Sequence, residues 1–214
     1  MKIDCGILDI SISNKENILE ACDHVELKAK LVKSSKDIQN SKSLIFPGNG
    51  TFHEAMKLIK ELNIEKDIKN FIKSKKLFLG ICLGMQLLFS KSDERGQISR
   101  GLGILEGEVV ELPSEKKELK KPVIGWLPFN KEYKIIENKK FLSKFKKNTP
   151  MYFNNSCVVH TKSKKYNIYY TKINDFKFCS AVSYKNIIAT QFHPELSSRE
   201  GLKIYKFLKE NILR

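Results

Sequence analysis

Residues 77–89 read Leu77-Phe78-Leu79-Gly80-Ile81-Cys82-Leu83-Gly84-Met85-Gln86-Leu87-Leu88-Phe89. Leu77–Ile81 is short, continuous and apolar, the pattern of a strand buried on both faces. Residues 83–89 read as a helix. A buried strand running straight into a helix is the repeating unit of an α/β sheet, so this stretch decides the fold class. Cys82 sits at the junction, between Gly80 and Gly84. A tight strand–turn–helix lifts such a side chain above the sheet edge and points backbone N–H groups toward it, which favours a thiolate. The flanking glycines let the turn close and leave room for a substrate. An isolated cysteine is more often plain core. Its position is what makes Cys82 a candidate nucleophile.

The flanking chain extends the α/β reading. Residues 2–10, 25–32 and 43–46 read as strands and 15–21 as a helix. The third strand ends at Pro47-Gly48. Thr51 can cap the next helix, with Glu54 three residues on as its partner. Phe52, Ala55, Met56, Ile59 and Leu62 form that helix's apolar side, and 65–74 is a second helical piece. Strands alternating with helices imply a mainly parallel sheet covered on both faces. The second half is strand-rich. Residues 101–112 read as a Gly-marked strand pair, and 166–172, 176–182 and 187–192 as strands. Residues 200–213 read as a closing amphipathic helix carrying Leu202, Ile204, Tyr205, Phe207, Leu208 and Ile212. No internal repeat, low-complexity tract or linker interrupts the chain. Lys116 to Lys121 is expected to be a charged loop, so one domain over residues 1–214 is expected, with a central parallel or mixed sheet.

Composition narrows the function classes. A chain of 214 residues with 41% hydrophobic content can bury a sizeable core. No run approaches the length of a membrane span, and the N-terminus lacks a secretory pattern. Five cysteines, an odd number without C-x-x-C spacing, argue against a disulfide framework and against structural zinc. A reducing, cytoplasmic setting is the expectation, with no metal and no cofactor. The formal charge is +15, but lysines are spread through the chain and arginine is limited to Arg95, Arg100, Arg199 and Arg214. That pattern fits a lysine-rich solvated surface better than a nucleic-acid interface, for which clustered charge and steep salt dependence would be expected.

A thiol nucleophile needs a base. Of His24, His53, His160 and His193, the last is the best placed. It follows the apolar run 187–189 and would stand at a strand end, where α/β sites form. Glu195 lies two residues on, the same side of an extended backbone, and can hold the second imidazole nitrogen. Pro194 stiffens the link. Cys82, His193 and Glu195 then form a relay suited to acyl transfer. Gly48, Asn49 and Gly50, between a strand and a helix, can present backbone N–H groups to an oxyanion. The stretch lacks a P-loop pattern, and an ordinary turn is the competing reading.

Together these segments resemble the class I glutamine amidotransferases, and the resemblance spans most of the chain. GICLGMQ and QFHPE carry it. LIFPGNGTFHEAM, GLGILEGEVV, GWLPF, YFNNS and ATQFHPELSSREGL, in that order, resemble the glutaminase subunits of imidazole glycerol phosphate synthase, a histidine-pathway enzyme. The resemblance implies that Cys82 attacks the side-chain amide of L-glutamine, that His193 shuttles protons and that Glu195 orients it. It implies oxyanion roles for Gly48 and Gly50, contacts to glutamine from Gln86 and Glu94, and positions beside the pocket for Tyr152 and Ser156. It further implies an ammonia-receiving partner shaped as a (β/α)₈ cyclase; because ammonia made without an acceptor would be wasted, weak hydrolysis is expected until that partner binds.

The chain also departs from the pattern at Ser11 to Ser13, Asn49, Val123, Leu127 and Asn155. Those departures keep a second reading open, a paralogous glutaminase subunit serving an N-acetyl sugar amidotransferase of surface-polysaccharide synthesis. A third reading is a non-enzymatic binding subunit, against which the intact Cys82, His193 and Glu195 argue.

Overall fold

The structure is a computed structural model that describes residues 2–10, 14–113, 121–129 and 145–212. The departures at Ser11 to Ser13, most of the charged loop from Lys116, and the last residue of the expected closing helix lie outside the described residues.

Five parallel strands form the first half of a mixed sheet: β1 (Ile3–Leu8), β2 (Ala29–Val32), β3 (Ser41–Phe46), β4 (Leu77–Ile81) and β13 (Ile187–Thr190), in the order β2-β1-β3-β4-β13. Their side chains alternate between two cores. Leu44, Phe46 and Phe78 face one, and Ile45, Leu79 and Ile81 face the other. Helices α2 (Ser35–Asn40), α3 (Phe52–Glu61) and α4 (Glu65–Lys73) bury Ile38, Ile59 and Phe71 in the first core. Helices α1 (Lys15–His24) and α6 (Ser198–Ile212) bury Ile18, Cys22, Ile204 and Leu208 in the second. The expected two-sided α/β layering is therefore present.

The sheet then turns antiparallel. β12 (Phe176–Tyr184) pairs with β13, with β11 (Asn167–Ile173) and with β10 (Cys157–His160), and β10 pairs with β7 (Glu108–Glu111). The short strands β5 (Lys91–Ser92) and β6 (Ser99–Arg100) close that end. A separate hairpin of β8 (Val123–Phe129) and β9 (Thr149–Asn155) lies off the main sheet. Among the described residues, no helix is long and apolar enough to cross a membrane.

Several local expectations need correction. Residues 25–28 do not belong to β2. Glu26 adopts a left-handed φ of 55°, and the Glu26 and Leu27 N–H groups bond back to Asp23 and Cys22, so this stretch caps α1. Leu62 caps α3 and is exposed rather than core. The capping partners at its other end do meet, with Thr51 Oγ1 accepting from the Glu54 N–H at 3.4 Å. Residues 101–107 form no strand pair. Their N–H groups instead satisfy carbonyls of the turn beyond Cys82, as in Leu102 to Leu87 and Ile104 to Leu88, both 2.9 Å. The helix after Cys82, α5, spans only Leu83–Gln86 and continues as tighter turns, Leu88 bonding to Met85 and Phe89 to Gln86.

Candidate active site

Cys82 ends β4 in a backbone conformation (φ 51°, ψ −109°) that side chains rarely adopt. Such strain persists only where the surroundings hold it, and it collects at functional sites. The supports are visible. The Cys82 N–H donates to Thr190 O at 2.7 Å, tying the end of β4 to the end of β13. The Met85 and Gln86 N–H groups close on Cys82 O at 3.0 and 3.1 Å. The turn also needs bare backbone behind it, since a Cβ on Gly84 would stand 1.8 Å from Phe46 O. Gly48 is held likewise, 2.5 Å from Leu83 Cβ if it carried a Cβ.

Register then assembles the site. β13 runs parallel to β4 with Thr190 opposite Ile81, so the residues just beyond each strand share one sheet edge. His193 follows there in extended backbone, and its N–H donates to Tyr152 O at 2.8 Å. Its Nδ1 faces Glu195 Oε1 at 2.8 Å, and the two side chains retain 6% and 2% of their exposure. The geometry of that link differs from the extended i, i+2 arrangement expected. β13 stops at Thr190, and Glu195 reaches the ring from a single 3₁₀ turn, Pro194–Leu196. Ser197 pins the turn by donating to His193 O at 2.6 Å and accepting from the Tyr152 N–H at 3.0 Å.

Burial pushes the His193 imidazole toward its neutral form. Cys82, and after it Glu195, more than offset this and bring its pKa up to about 11. The Nε2 atom is buried and makes no hydrogen bond among the described residues. Catalytic contacts of this kind commonly tighten only when substrate is bound. Three further thiols are held in their neutral form. Burial, with Glu94 and Glu111, pushes Cys157 up to about 12, and burial pushes Cys179 up further. Cys22 is pushed up first by its neighbour Cys5 and then by burial.

A cleft of about 310 Å³ opens on Cys82. Gly48, Asn49, Gly50, Gln86, Glu94 and Ser156 line it, so most of the sequence-derived candidates converge there, joined by Arg95, Asn154 and Asn155. Tyr152 does not line it. Its backbone clamps the His193 turn, and its ring packs edge-on against Trp126 at 5.9 Å. Gln86 is turned inward, donating to Cys157 O at 3.1 Å and to Gln191 Oε1 at 3.0 Å. Glu94 accepts from the Phe52 N–H at 2.7 Å, at the start of α3. Asn49 and Gly50 also border a second cleft of about 480 Å³ beside Asp9, Lys15 and Lys33. A Cβ on Gly50 (φ 102°) would meet nothing within 4 Å, so this loop has open space beside it.

Gln191 escapes a reading by chemical type. It is fully buried, and its amide donates to Cys82 Sγ at 3.5 Å while its oxygen accepts from Gln86. Its place in QFHPE next to the candidate base was the available signal. His160, without an evident partner in the sequence, stands 3.9 Å from Glu108 on the outer strands. Among the described residues, no group of three or more His, Cys, Asp or Glu side chains is arranged to hold a metal ion.

Known proteins agree with this architecture. The family model for class-I glutamine amidotransferases matches residues 6–210. The chain is 36% identical over 207 residues to the imidazole glycerol phosphate synthase subunit HisH of Caldanaerobacter subterraneus subsp. tengcongensis, covering 97% of this chain and 98% of that one. It is 37% identical over 206 residues to the same subunit of Aquifex aeolicus, covering 95% and 94%. In fold it is similar to a crystal structure of a glutamine amidotransferase (TM-score 0.73, 18% identity, 98% and 99% covered). It is equally similar to the structure of PurLQS from Thermotoga maritima (TM-score 0.74, 16% identity, 100% of each chain). With a family model spanning nearly the whole chain and full-length relatives above 30% identity, this chain belongs to the class-I glutamine amidotransferase family.

Proposed function

We propose that this chain is the glutaminase subunit of an imidazole glycerol phosphate synthase, with Cys82, His193 and Glu195 as its catalytic residues. The observation that carries the chemistry is the buried His193, bound to Glu195 through Nδ1 and raised toward imidazolium by Cys82. Support for the pathway comes from relatives of full length that carry that synthase name.

Glutamine would enter the cleft with its carboxamide carbon over Cys82 Sγ. The thiolate adds to that carbon, and backbone N–H groups of the Gly48–Gly50 loop receive the developing oxyanion. As the C–N bond breaks, His193 gives its Nε2 proton to the departing nitrogen, which leaves as ammonia. The γ-glutamyl thioester remains on Cys82. A water molecule then loses a proton to His193 and attacks the thioester, the C–S bond breaks and glutamate departs. Glu195 keeps Nδ1 protonated and stabilises the charged ring at both steps. Gln191, donating to Sγ, favours the anionic sulfur.

Ammonia released without an acceptor is wasted, so hydrolysis coupled to a (β/α)₈ cyclase partner is chemically sensible. A loop that withholds one oxyanion donor would hold the rate down by about 10²–10³, roughly 3–4 kcal/mol. The open space beside Gly50 lets a single peptide rearrange there. The test is glutamate release by the chain alone, then titrated with the cyclase and its ribonucleotide substrate. Saturable one-to-one stimulation by the cyclase is expected. Stimulation by an N-acetyl sugar amidotransferase instead would move the assignment to surface-polysaccharide synthesis. No hydrolysis with either would favour a binding subunit.

A further inference from the structure

Glu94 lines the cleft, and it also holds a piece of backbone beside it. Its Oε2 accepts from the Phe52 N–H at 2.7 Å. That N–H is the first of α3 and has no partner inside the helix, so an acceptor must come from elsewhere. A carboxylate suits the place, since a helix N-terminus favours negative charge.

The bond matters for what it holds. The loop from Gly48 to Thr51, which carries the proposed oxyanion donors, runs directly into Phe52. Packing fixes its near end, where a Cβ on Gly48 would stand 2.5 Å from Leu83 Cβ. Its far end is fixed at Phe52, whose side chain is fully buried and whose N–H is on Glu94. Between the two, Gly50 takes a φ of 102°, and a Cβ there would meet nothing within 4 Å. The middle of the loop is therefore free to turn between two held ends.

Glu94 is itself braced from the outer strands. Its N–H donates to Ser92 Oγ on β5 at 3.1 Å, and the Arg95 N–H donates to Glu111 Oε1 on β7 at 2.9 Å. Ser92 is buried, and it pairs with Val109 where β5 meets β7. The carboxylate thus links the far end of the sheet to the loop that follows β3.

We propose that Glu94 is a positioning residue that anchors the oxyanion loop through the Phe52 N–H, so that one carboxylate serves both the glutamine cleft and the oxyanion donors. The proposal deepens the glutaminase reading above and rests on it. With the anchor in place, the Gly50 peptide turns against a fixed end. Without it, that end loosens and the donors leave their place. Anchoring needs only an acceptor oxygen, which an amide also offers. A contact to the ammonium group of glutamine needs charge instead, so substitution separates the two roles.

The test measures glutamate release by the full chain saturated with its cyclase partner, alongside thermal melting. Glu94→Gln keeps an acceptor and should hold kcat within about threefold while KM rises. Glu94→Leu removes the acceptor and should lower kcat by about 10- to 100-fold, the range for losing a hydrogen bond to a charged group. Glu94→Ala should lower kcat likewise, and takes the place of Glu94→Leu if the latter does not fold. Iodoacetamide needs the Cys82 thiolate but no oxyanion donor, so its rate in the acceptor-free variant should stay within about twofold of wild type. Acceptor-free kcat within about twofold of wild type, or an equal loss in Glu94→Gln, would overturn the anchor. So would alkylation falling in step with kcat, which would place the damage at the Cys82 turn. Failure of the wild-type complex to release glutamate would instead sink the glutaminase reading, and this inference with it.

Discussion

The side-chain amide of Gln191 donates to Cys82 Sγ at 3.5 Å, and its oxygen accepts from Gln86 at 3.0 Å, so a buried amide chain reaches the candidate nucleophile. Such a donor favours sulfur in its anionic form. Replacing Gln191 with Leu keeps the volume and removes the donor. It should slow alkylation of Cys82 at neutral pH and lower glutamate release by about tenfold, as expected for a hydrogen bond to a charged group. Gln86 would keep its bond to Cys157 O, so folding should survive. Equal alkylation rates in both proteins would remove Gln191 from the account.

The state of His193 can be observed directly. Burial lowers its pKa, and Cys82 followed by Glu195 raises it to about 11. A group so raised stays protonated below its shifted value. Its ring resonances should therefore stay flat between pH 6 and 9, a window chosen around the ordinary histidine value near 6.5. Cys82→Ala removes the leading upward contribution and leaves burial opposed by Glu195 alone, so the midpoint should move down. A wild-type titration near the ordinary histidine value would contradict the pairing.

The strained turn has its own test. A methyl group on Gly84 would overlap Phe46 O, which is backbone and cannot rotate away. Gly84→Ala should destabilise the fold by about 3 kcal/mol or more, at the upper end of overpacking costs. It should also displace the Cys82 turn, with glutaminase activity falling further than the folded fraction. A variant with native melting behaviour would show the turn to be more yielding than its packing implies.

The sequence was most legible where one local rule sufficed. Leu77–Ile81 is a strand in the structure as its apolar run indicates, and Thr51 caps α3 through the Glu54 N–H. Gly48, Asn49, Gly50 and Cys82 border one cleft where strand ends and glycines mark the opening of a parallel sheet, whereas Gln86, Glu94 and Ser156, which line it too, were singled out only by the family resemblance, and Tyr152, singled out with them, lies outside it. Features set by distant contacts were hidden. Residues 101–107 look like strand but spend their N–H groups on the turn after Cys82. Helix α2 buries only Ile38 and gives no periodic pattern. Glu26 ends α1 in a left-handed conformation without the glycine that would have signalled it. Gln191 carries an ordinary side chain whose meaning depends on Cys82, far away in sequence.

The central claim is that Cys82 carries the glutamyl group during turnover. The chain in complex with its partner should be mixed with glutamine, quenched in acid within the steady state, digested and mapped by mass spectrometry. The account predicts a glutamyl thioester on the peptide containing Cys82, absent in Cys82→Ala and absent from the peptides of Cys5, Cys22, Cys157 and Cys179. Active glutamate release with the adduct on another cysteine, or undiminished release by Cys82→Ala, would contradict it.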